Sequence, residues 1–198
     1  MYAYIDIHLI IIPCILYIVF KTVYLSILSF LFILYFLRTP NKKLKEINSK
    51  IFYSPSAGYV KDISIDNENL NISLFLNLFD NHTQYIPIKS TLVSSIKKNG
   101  LFLPAYKEHS INNEKIIHTL YNKELDIIYN ITQITGILTR RIVVFIKNTQ
   151  SILDPGDQLG IILLGSRVDI SIPLSKVKKV LIEKNSHIDA MSEMLLLF

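Results

Sequence analysis

Two short segments carry side chains whose types and spacing could do chemistry. Gly165 and Ser166 stand together between two apolar stretches, and Asp80 precedes His82 by two residues. On a strand, residues two apart share a face, so Asp80 would be able to orient the ring of His82. Taken alone, the GSRVD segment is typical of a tight turn, and the histidine is typical of a polar surface residue. No histidine, cysteine or carboxylate cluster has metal-ligand spacing, so the sequence predicts no metal site.

The composition is that of an apolar and basic chain. Half of the 198 residues are hydrophobic, 19% are charged, and the net charge is +5. This hydrophobic content excludes a disordered protein and predicts a packed core. The single cysteine, Cys14, excludes an intrachain disulfide and a cysteine-rich zinc site.

Two apolar runs predict an α-helical membrane anchor over residues 1–37. Residues 9–20 and 23–37 are apolar and are separated only by Lys21 and Thr22. Each run is shorter than the ~20 residues of a straight span, so a shallow hairpin and one longer tilted helix both stay open. No basic segment precedes the runs and no small-residue cleavage site follows them, which favours a retained anchor over a cleaved signal.

A basic linker, residues 38–50, follows the predicted anchor. Its cations are Arg38, Lys42, Lys43, Lys45 and Lys50. Because they adjoin an apolar segment and no aromatic-rich motif accompanies them, they indicate membrane electrostatics rather than nucleic-acid binding. The positive-inside tendency places residues 51–198 on the cytoplasmic side of a cell membrane, in a protein that is anchored or peripheral.

From residue 51 the apolar side chains alternate with polar ones. Ile72, Leu74 and Leu76 face one way on a strand, whereas Ser73 and Phe75 face the other. The strands predicted in this way span residues 59–65, 72–78, 84–88, 91–96, 116–121, 125–137, 142–147, 158–164 and 167–172. Without βαβ spacing, they predict a mainly β domain, an antiparallel barrel or sandwich. Residues 152–163 have the look of a lipoyl-type hairpin.

Six segments resemble those of the short, pyruvoyl-dependent type of phosphatidylserine decarboxylase, in the same order and with similar spacing. FLNLFDNHTQYIP at 75–87 is similar to the family's FLSPFDVHVNRAP, and GIILLGSRVDISIP at 160–173 resembles GMIRFGSRVDVYLP. The other four are YFLRTP at 35–40, SPSAGYV at 54–60, LFLPA at 101–105 and GILTRRIVVFIK at 136–147. One GS dipeptide would carry no meaning, whereas six ordered segments make a specific match.

This resemblance implies a lyase that converts phosphatidylserine to phosphatidylethanolamine. It also implies that the chain cuts itself between Gly165 and Ser166 and so turns Ser166 into a covalent pyruvoyl cofactor. The two products, residues 1–165 and 166–198, would stay associated, and a homodimer stays open. The expected partners are the phospholipid substrate and its membrane.

The same resemblance suggests roles for individual side chains. His82 occupies the family's histidine position and would return a proton after decarboxylation, with Asp80 beside it. Arg140 and Arg141 match an arginine pair that would suit a lipid phosphate or an internal carboxylate, and Arg167 would position the new N-terminus or bind substrate. The remaining histidines of the polar part match no family role and are expected to be ordinary surface or strand residues: His109, His118 and His187.

The sequence departs from the family at the motif that usually reads SPADG. Ala57 stands in place of an aspartate to which the family attributes a part in activating the serine, and Gln84 and Tyr85 replace an asparagine and a basic residue. Asp80 could supply the missing carboxylate. The alternative is an uncut, membrane-anchored pseudoenzyme or lipid-binding relative. A carrier domain ranks third, because the predicted hairpin lacks an exposed lysine in a tight turn.

Overall fold

The chain divides into two compact units, a helical unit (residues 1–39) and a β unit (residues 40–198). The computed structural model describes residues 7–20, 23–38, 50–137, 141–146, 148–163, 165–191 and 194–197.

The helical unit contains two short apolar helices. Helix α1 spans Ile7–Phe20 and helix α2 spans Val23–Phe36, and the two pack against each other. The hydroxyl of Ser26 on α2 donates a hydrogen bond to the carbonyl of Pro13 on α1 at 3.3 Å. Neither of the helices described is long and apolar enough to cross a membrane.

The β unit consists of antiparallel strands, which confirms the prediction of a mainly β fold. In chain order the strands are β1 (Ile51–Tyr53), β2 (Gly58–Asp66), β3 (Asn69–Leu76), β4 (Thr83–Tyr85), β5 (Ser90–Lys98), β6 (Lys115–Asn122), β7 (Ile127–Ile134), β8 (Ile142–Val144), β9 (Ile152–Leu153), β10 (Gln158–Ile162), β11 (Ser166–Pro173), β12 (Lys179–Val180), β13 (His187–Ile188) and β14 (Met194–Leu197). Two 3-10 turns lie at Glu108–Asn112 and Leu174–Lys176.

The largest sheet has the strand order β13-β2-β3-β11-β7-β6-β5-β9. Strand β11 lies near its centre and pairs antiparallel with β3 on one side and β7 on the other. In this register Ser166 lies opposite Leu76, and Arg167 lies opposite Ile134. Two three-stranded sheets, ordered β4-β10-β8 and β1-β14-β12, complete the unit.

The core lies on one face of the large sheet. Burial alternates along β11, beginning with a buried Ser166 and a half-buried Arg167. Because residues two apart share a face, Ser166 lies on the core side and Arg167 on the opposite side. The apolar residues that follow the same alternation on β3 and β11 are all buried: Leu70, Ile72, Leu74, Leu76, Val168, Ile170 and Ile172.

The lipoyl-type hairpin predicted over residues 152–163 is wrong. Strand β9 pairs with β5 in the large sheet, whereas β10 pairs with β4 and β8 in a small sheet. The turn between them is closed by the Asp157 carboxylate, which accepts the N–H of Asp154 at 2.8 Å, and it is tied to another segment by the N–H of Gly156, which donates to Ile86 at 2.9 Å. The turn therefore carries the chain from one sheet to another.

Candidate active site

The peptide bond between Gly165 and Ser166 lies at the start of the central strand β11. Gly165 has φ +67°, in the left-handed region that favours glycine. A Cβ built on Gly165 would meet no atom within 4 Å among the described residues other than its chain neighbours, so glycine is needed here for its backbone conformation and not for space. A residue with a Cβ would be strained there by ~1–2 kcal/mol.

The carbonyl of Gly165 packs against the backbone of Gly136, which follows the neighbouring strand β7. A Cβ on Gly136 would overlap the Gly165 carbonyl oxygen and lie 2.9 Å from the carbonyl carbon. Only glycine allows an approach this close. The carbonyl next to Ser166 is therefore held in place from the side of β7.

Ser166 is fully buried, and its Oγ has no hydrogen-bond partner among the residues that the structure describes. Leaving a buried hydroxyl unpaired costs ~1–3 kcal/mol, so such groups are uncommon in native proteins and need a reason. A hydroxyl that is not engaged elsewhere is available to attack the adjacent carbonyl. Its burial and position fit the precursor of a pyruvoyl group.

His82 contacts the segment that ends at this peptide bond. The ring is fully buried, with Nδ1 2.9 Å from the main-chain carbonyl oxygen of Asp80 and Nε2 3.3 Å from the main-chain nitrogen of Gly165. Because a carbonyl only accepts, Nδ1 carries the hydrogen, and Nε2 accepts the Gly165 N–H. The lone pair of Nε2 therefore points at the residue on the N-terminal side of Ser166.

Asp80 and His82 lie in the loop between β3 and β4, so the expectation that they share a strand face is wrong. The main-chain carbonyl of Asp80 orients the ring of His82. The carboxylate of Asp80 accepts the N–H of Asn77 at 2.8 Å and contacts Nε2 of His187 at 2.7 Å. Asp80 thus contacts two histidines, because its main-chain carbonyl accepts from His82 and its carboxylate contacts His187.

His187 is predicted from its own pattern to be an ordinary surface or strand residue, and no local signal indicates its contact with Asp80. It belongs to β13, where it pairs with Tyr59 of β2, and its ring lies edge-on to the Tyr59 ring with 4.8 Å between centroids. The two partners are 107 residues apart in sequence. A local pattern cannot reveal a contact over that distance.

A second buried network leads to the main chain of His82. The ring of His118 is fully buried, and burial lowers its pKa from the usual 6.5, although its hydrogen bond to Gln133 acts in the opposite direction. In the neutral ring, Nε2–H donates to Gln133 Oε1 at 2.8 Å and Nδ1 accepts from Ser95 Oγ at 2.8 Å. Gln133 Nε2 donates to Gln84 Oε1 at 2.6 Å, and Gln84 Nε2 donates to the His82 carbonyl at 2.8 Å.

The three arginines predicted near the site lie in different surroundings. Arg167 donates from Nε to Asp169 at 2.6 Å and from a terminal nitrogen to Ser73 Oγ at 3.0 Å, on the sheet face opposite Ser166. The main-chain carbonyl of Arg141 accepts the N–H of Leu163 at 3.3 Å, close to the end of β10. Arg140 lies outside the described residues.

The segment around Ala57 packs tightly at the same end of the large sheet. Ala57 is buried, and the hydroxyl of Ser56 donates to its carbonyl at 3.1 Å. Gly58 has φ +145°, and a Cβ there would lie 2.6 Å from the carbonyl oxygen of Phe75. Position 57 therefore carries a buried methyl group where the resemblance leads one to expect a carboxylate.

Comparison with known proteins agrees with these features. The family model described as phosphatidylserine decarboxylase matches residues 30–195, and the chain belongs to this family of pyruvoyl-dependent phosphatidylserine and archaetidylserine decarboxylases. The chain is similar to a phosphatidylserine decarboxylase proenzyme of Carboxydothermus hydrogenoformans, with 35% identity over 83% of this chain and 78% of that protein. It is also similar to a putative archaetidylserine decarboxylase proenzyme of Methanococcoides burtonii, with 31% identity over 76% of this chain and 68% of that protein.

Proposed function

We propose that this chain is a proenzyme that cuts itself between Gly165 and Ser166 and then converts phosphatidylserine to phosphatidylethanolamine. The supporting observation is the Ser166 hydroxyl, which is buried and without a hydrogen-bond partner among the described residues, next to a left-handed Gly165. Membership of the decarboxylase family supplies the reaction.

The cut balances without an oxidant or a reductant. Ser166 Oγ bonds to the Gly165 carbonyl carbon while the peptide C–N bond breaks, which leaves an ester and a free amine. Loss of the Ser166 Cα proton then breaks the Cβ–Oγ bond, and Gly165 becomes the C-terminal carboxylate of chain 1–165. Water replaces the nitrogen of residue 166, which leaves as ammonia, and a pyruvoyl group remains.

The described residues around position 166 supply binding and proton transfer. The pyruvoyl group, when formed, supplies the electron sink for decarboxylation. His82 Nε2, which accepts the Gly165 N–H before the cut, is the base next to the scissile bond and, once protonated, the acid that delivers a proton to the substrate carbon. The Asp80 carbonyl holds the ring in place for both steps.

The two chains stay associated after the cut because strand pairing crosses the division. Residues 166–173 form β11 between β3 and β7, β13 pairs with β2, and β14 pairs with β1. All four of these partner strands belong to residues 1–165. Separating the chains would remove a strand from the middle of the large sheet.

The helical unit and the basic linker hold the protein at a membrane surface. Both described helices are apolar and too short to span, which favours peripheral attachment by the helical unit. The linker cations favour a cytoplasmic position of the β unit at a cell membrane. Arg140 and Arg141 are the candidates for contact with the lipid phosphate.

An uncut lipid-binding relative is the second candidate. The observation in its favour is Ala57, which provides no carboxylate at the position where the family motif has one. In this case the β unit would keep its fold and its membrane attachment, and Ser166 would stay an ordinary serine.

The mass of the purified protein separates the two candidates. The proposed function predicts two chains, residues 1–165 and 166–198, with a pyruvoyl group on the second, and formation of phosphatidylethanolamine in vesicles that contain phosphatidylserine. Ser166→Ala should stay uncut, whereas Ser171→Ala, a matched control on the same strand, should be cut like the wild type. An intact wild-type chain with an unmodified serine after prolonged incubation contradicts the proposal and favours the relative without activity.

A further inference from the structure

His187 and Asp80 form a contact that lies across the proposed cut. The Nε2–H of His187 donates to the Asp80 carboxylate at 2.7 Å, and the Asp80 side chain is only 6% exposed, compared with 37% for His187. The position of His187 is fixed independently by the pairing of β13 with β2 and by the ring of Tyr59. Asp80 and His82 precede the cut, whereas His187 follows it.

The loop that carries His82 contains a local turn at Asp80. Asp80 N–H donates to the Asn77 carbonyl at 3.2 Å, and the Asp80 carboxylate accepts the Asn77 N–H at 2.8 Å. Both bonds close this turn just after β3, and the main-chain carbonyl of His82 separately accepts the N–H of Ile162 on β10 at 3.1 Å. The contact with His187 ties the same turn to a different strand pair.

Before the cut, the ring of His82 is bonded on both sides. Nδ1–H donates to the Asp80 carbonyl, and Nε2 accepts the N–H of Gly165. Cutting turns Gly165 into a chain end that is no longer tethered to β11. The N–H that Nε2 accepts is then no longer held in place by β11. Of the two hydrogen bonds to the ring, the one to the Asp80 carbonyl keeps its position.

We propose that His187 is a positioning residue for the decarboxylation step: it holds the Asp80 carboxylate, and through the Asp80 carbonyl it fixes His82 after the cut. This inference rests on the proposed function. In the mature protein the contact would join the two chains, so residues 166–198 would contribute both the pyruvoyl group and the support of the proton donor. The contact matters more for turnover than for the cut, because Gly165 still helps to hold His82 while the chain is intact.

The test measures cutting, turnover and stability in the same preparations. His187→Ala should be cut within about twofold of the wild-type rate, whereas kcat on phosphatidylserine vesicles should fall on the order of 10- to 100-fold with KM unchanged, because the proton donor is misplaced. His187→Gln, which keeps a donor near Nε2, should restore most of kcat. The exposed His109→Ala is the matched control and should match the wild type in all three measurements.

Four outcomes would overturn the inference. If the wild type is cut and active and His187→Ala is equally active, this inference fails while the proposed function stands. The inference also fails if His187→Ala loses as much in the rate of cutting as in kcat, because that would indicate a general structural role. If His187→Ala does not fold, His187→Phe, which keeps a ring beside Tyr59 but has no donor, takes its place, and wild-type kcat in that variant decides against the pair. A wild-type chain that stays uncut removes the proposed function and this inference together.

Discussion

The backbone N–H of Gly165 donates to Nε2 of His82 at 3.3 Å, across 83 residues of sequence. The donor belongs to the residue whose carbonyl would be attacked, so the ring is bound to the segment it would act on. His82→Gln should therefore lower turnover by ~10²- to 10⁴-fold, the usual contribution of a general acid or base, and slow the cut as well. Product formation in vesicles measures the first effect, and a mass time course measures the second. A variant that is cut and turns over normally would assign the proton transfer to another group.

Gly136→Ala should block the cut. The new methyl group would overlap the Gly165 carbonyl oxygen, and a shift of about 1 Å in a reacting atom can cost ~100-fold in rate. The matched variant is Gly165→Ala, which introduces backbone strain without a collision, because its Cβ would have no atom of a described residue beyond its chain neighbours within 4 Å. A mass time course should show Gly136→Ala to be the slower of the two. The reverse order would mean that the close approach of Gly136 is not what positions the carbonyl.

Ala57→Asp should speed the cut and lower stability. The position is only 4% exposed, so a carboxylate there is poorly hydrated, which costs free energy of folding but provides a charge that can assist proton transfer. Ala57→Asn is the control of nearly equal size without the charge. We expect a mass time course to show faster cutting than in the wild type for the aspartate variant alone. Equal rates for both variants would show that a carboxylate at this position contributes nothing here.

Gln133→Leu should lower the free energy of unfolding by about 2–6 kcal/mol. It leaves the His118 donor and the Gln84 acceptor without the partners they have in the structure, and each unpaired buried group costs ~1–3 kcal/mol. The exposed Gln158→Leu should change stability by less than ~0.5 kcal/mol. Urea unfolding measures both. If Gln133 and Gln84 act together, the loss in the double variant with Gln84→Leu will be smaller than the sum of the single losses.

Acid should weaken the folded protein through His118. Burial lowers the pKa of His118 below its usual 6.5, so below about that pH the unfolded chain takes up a proton more readily than the folded one. The free energy of unfolding therefore falls as the pH drops below 6.5 and gains nothing from this group above it. The free energy of unfolding should depend less steeply on pH in His118→Gln. Unfolding at pH 7.5 and pH 5.0 gives the difference, and parallel curves would contradict the assignment.

Strands with clean alternation could be predicted from the sequence, because their side chains report which face is buried. The prediction over 116–121 matches β6, and that over 167–172 matches β11, each to within one or two residues. The pieces over Ile51–Tyr53 and His187–Ile188 are too short to show a period, and only their partners define them as strands. The turn over 154–157 joins β9 to β10, and nothing local shows that it leads to a different sheet.

The candidate site was likewise predictable from the sequence only in part. Ser166, Gly165 and His82 could be named because a family resemblance carried them, while their contacts came from the fold. Asp80 was named for its spacing to His82, yet its carboxylate contacts His187, a residue of a two-residue strand at the far end of the chain. The buried set of His118, Gln133 and Gln84 was missed because each polar residue looks ordinary in its own strand.

Strand β11 begins at Ser166 and is flanked by neighbours on both sides. On the proposed function, the cofactor would be the first residue of an interior strand, so it could not be exchanged, reloaded or borrowed from another molecule. Each copy would be activated once, and a side reaction that consumed the ketone would end its working life. The supply of active enzyme would then be governed by synthesis and by the timing of a single cut, with no route for recharging spent molecules.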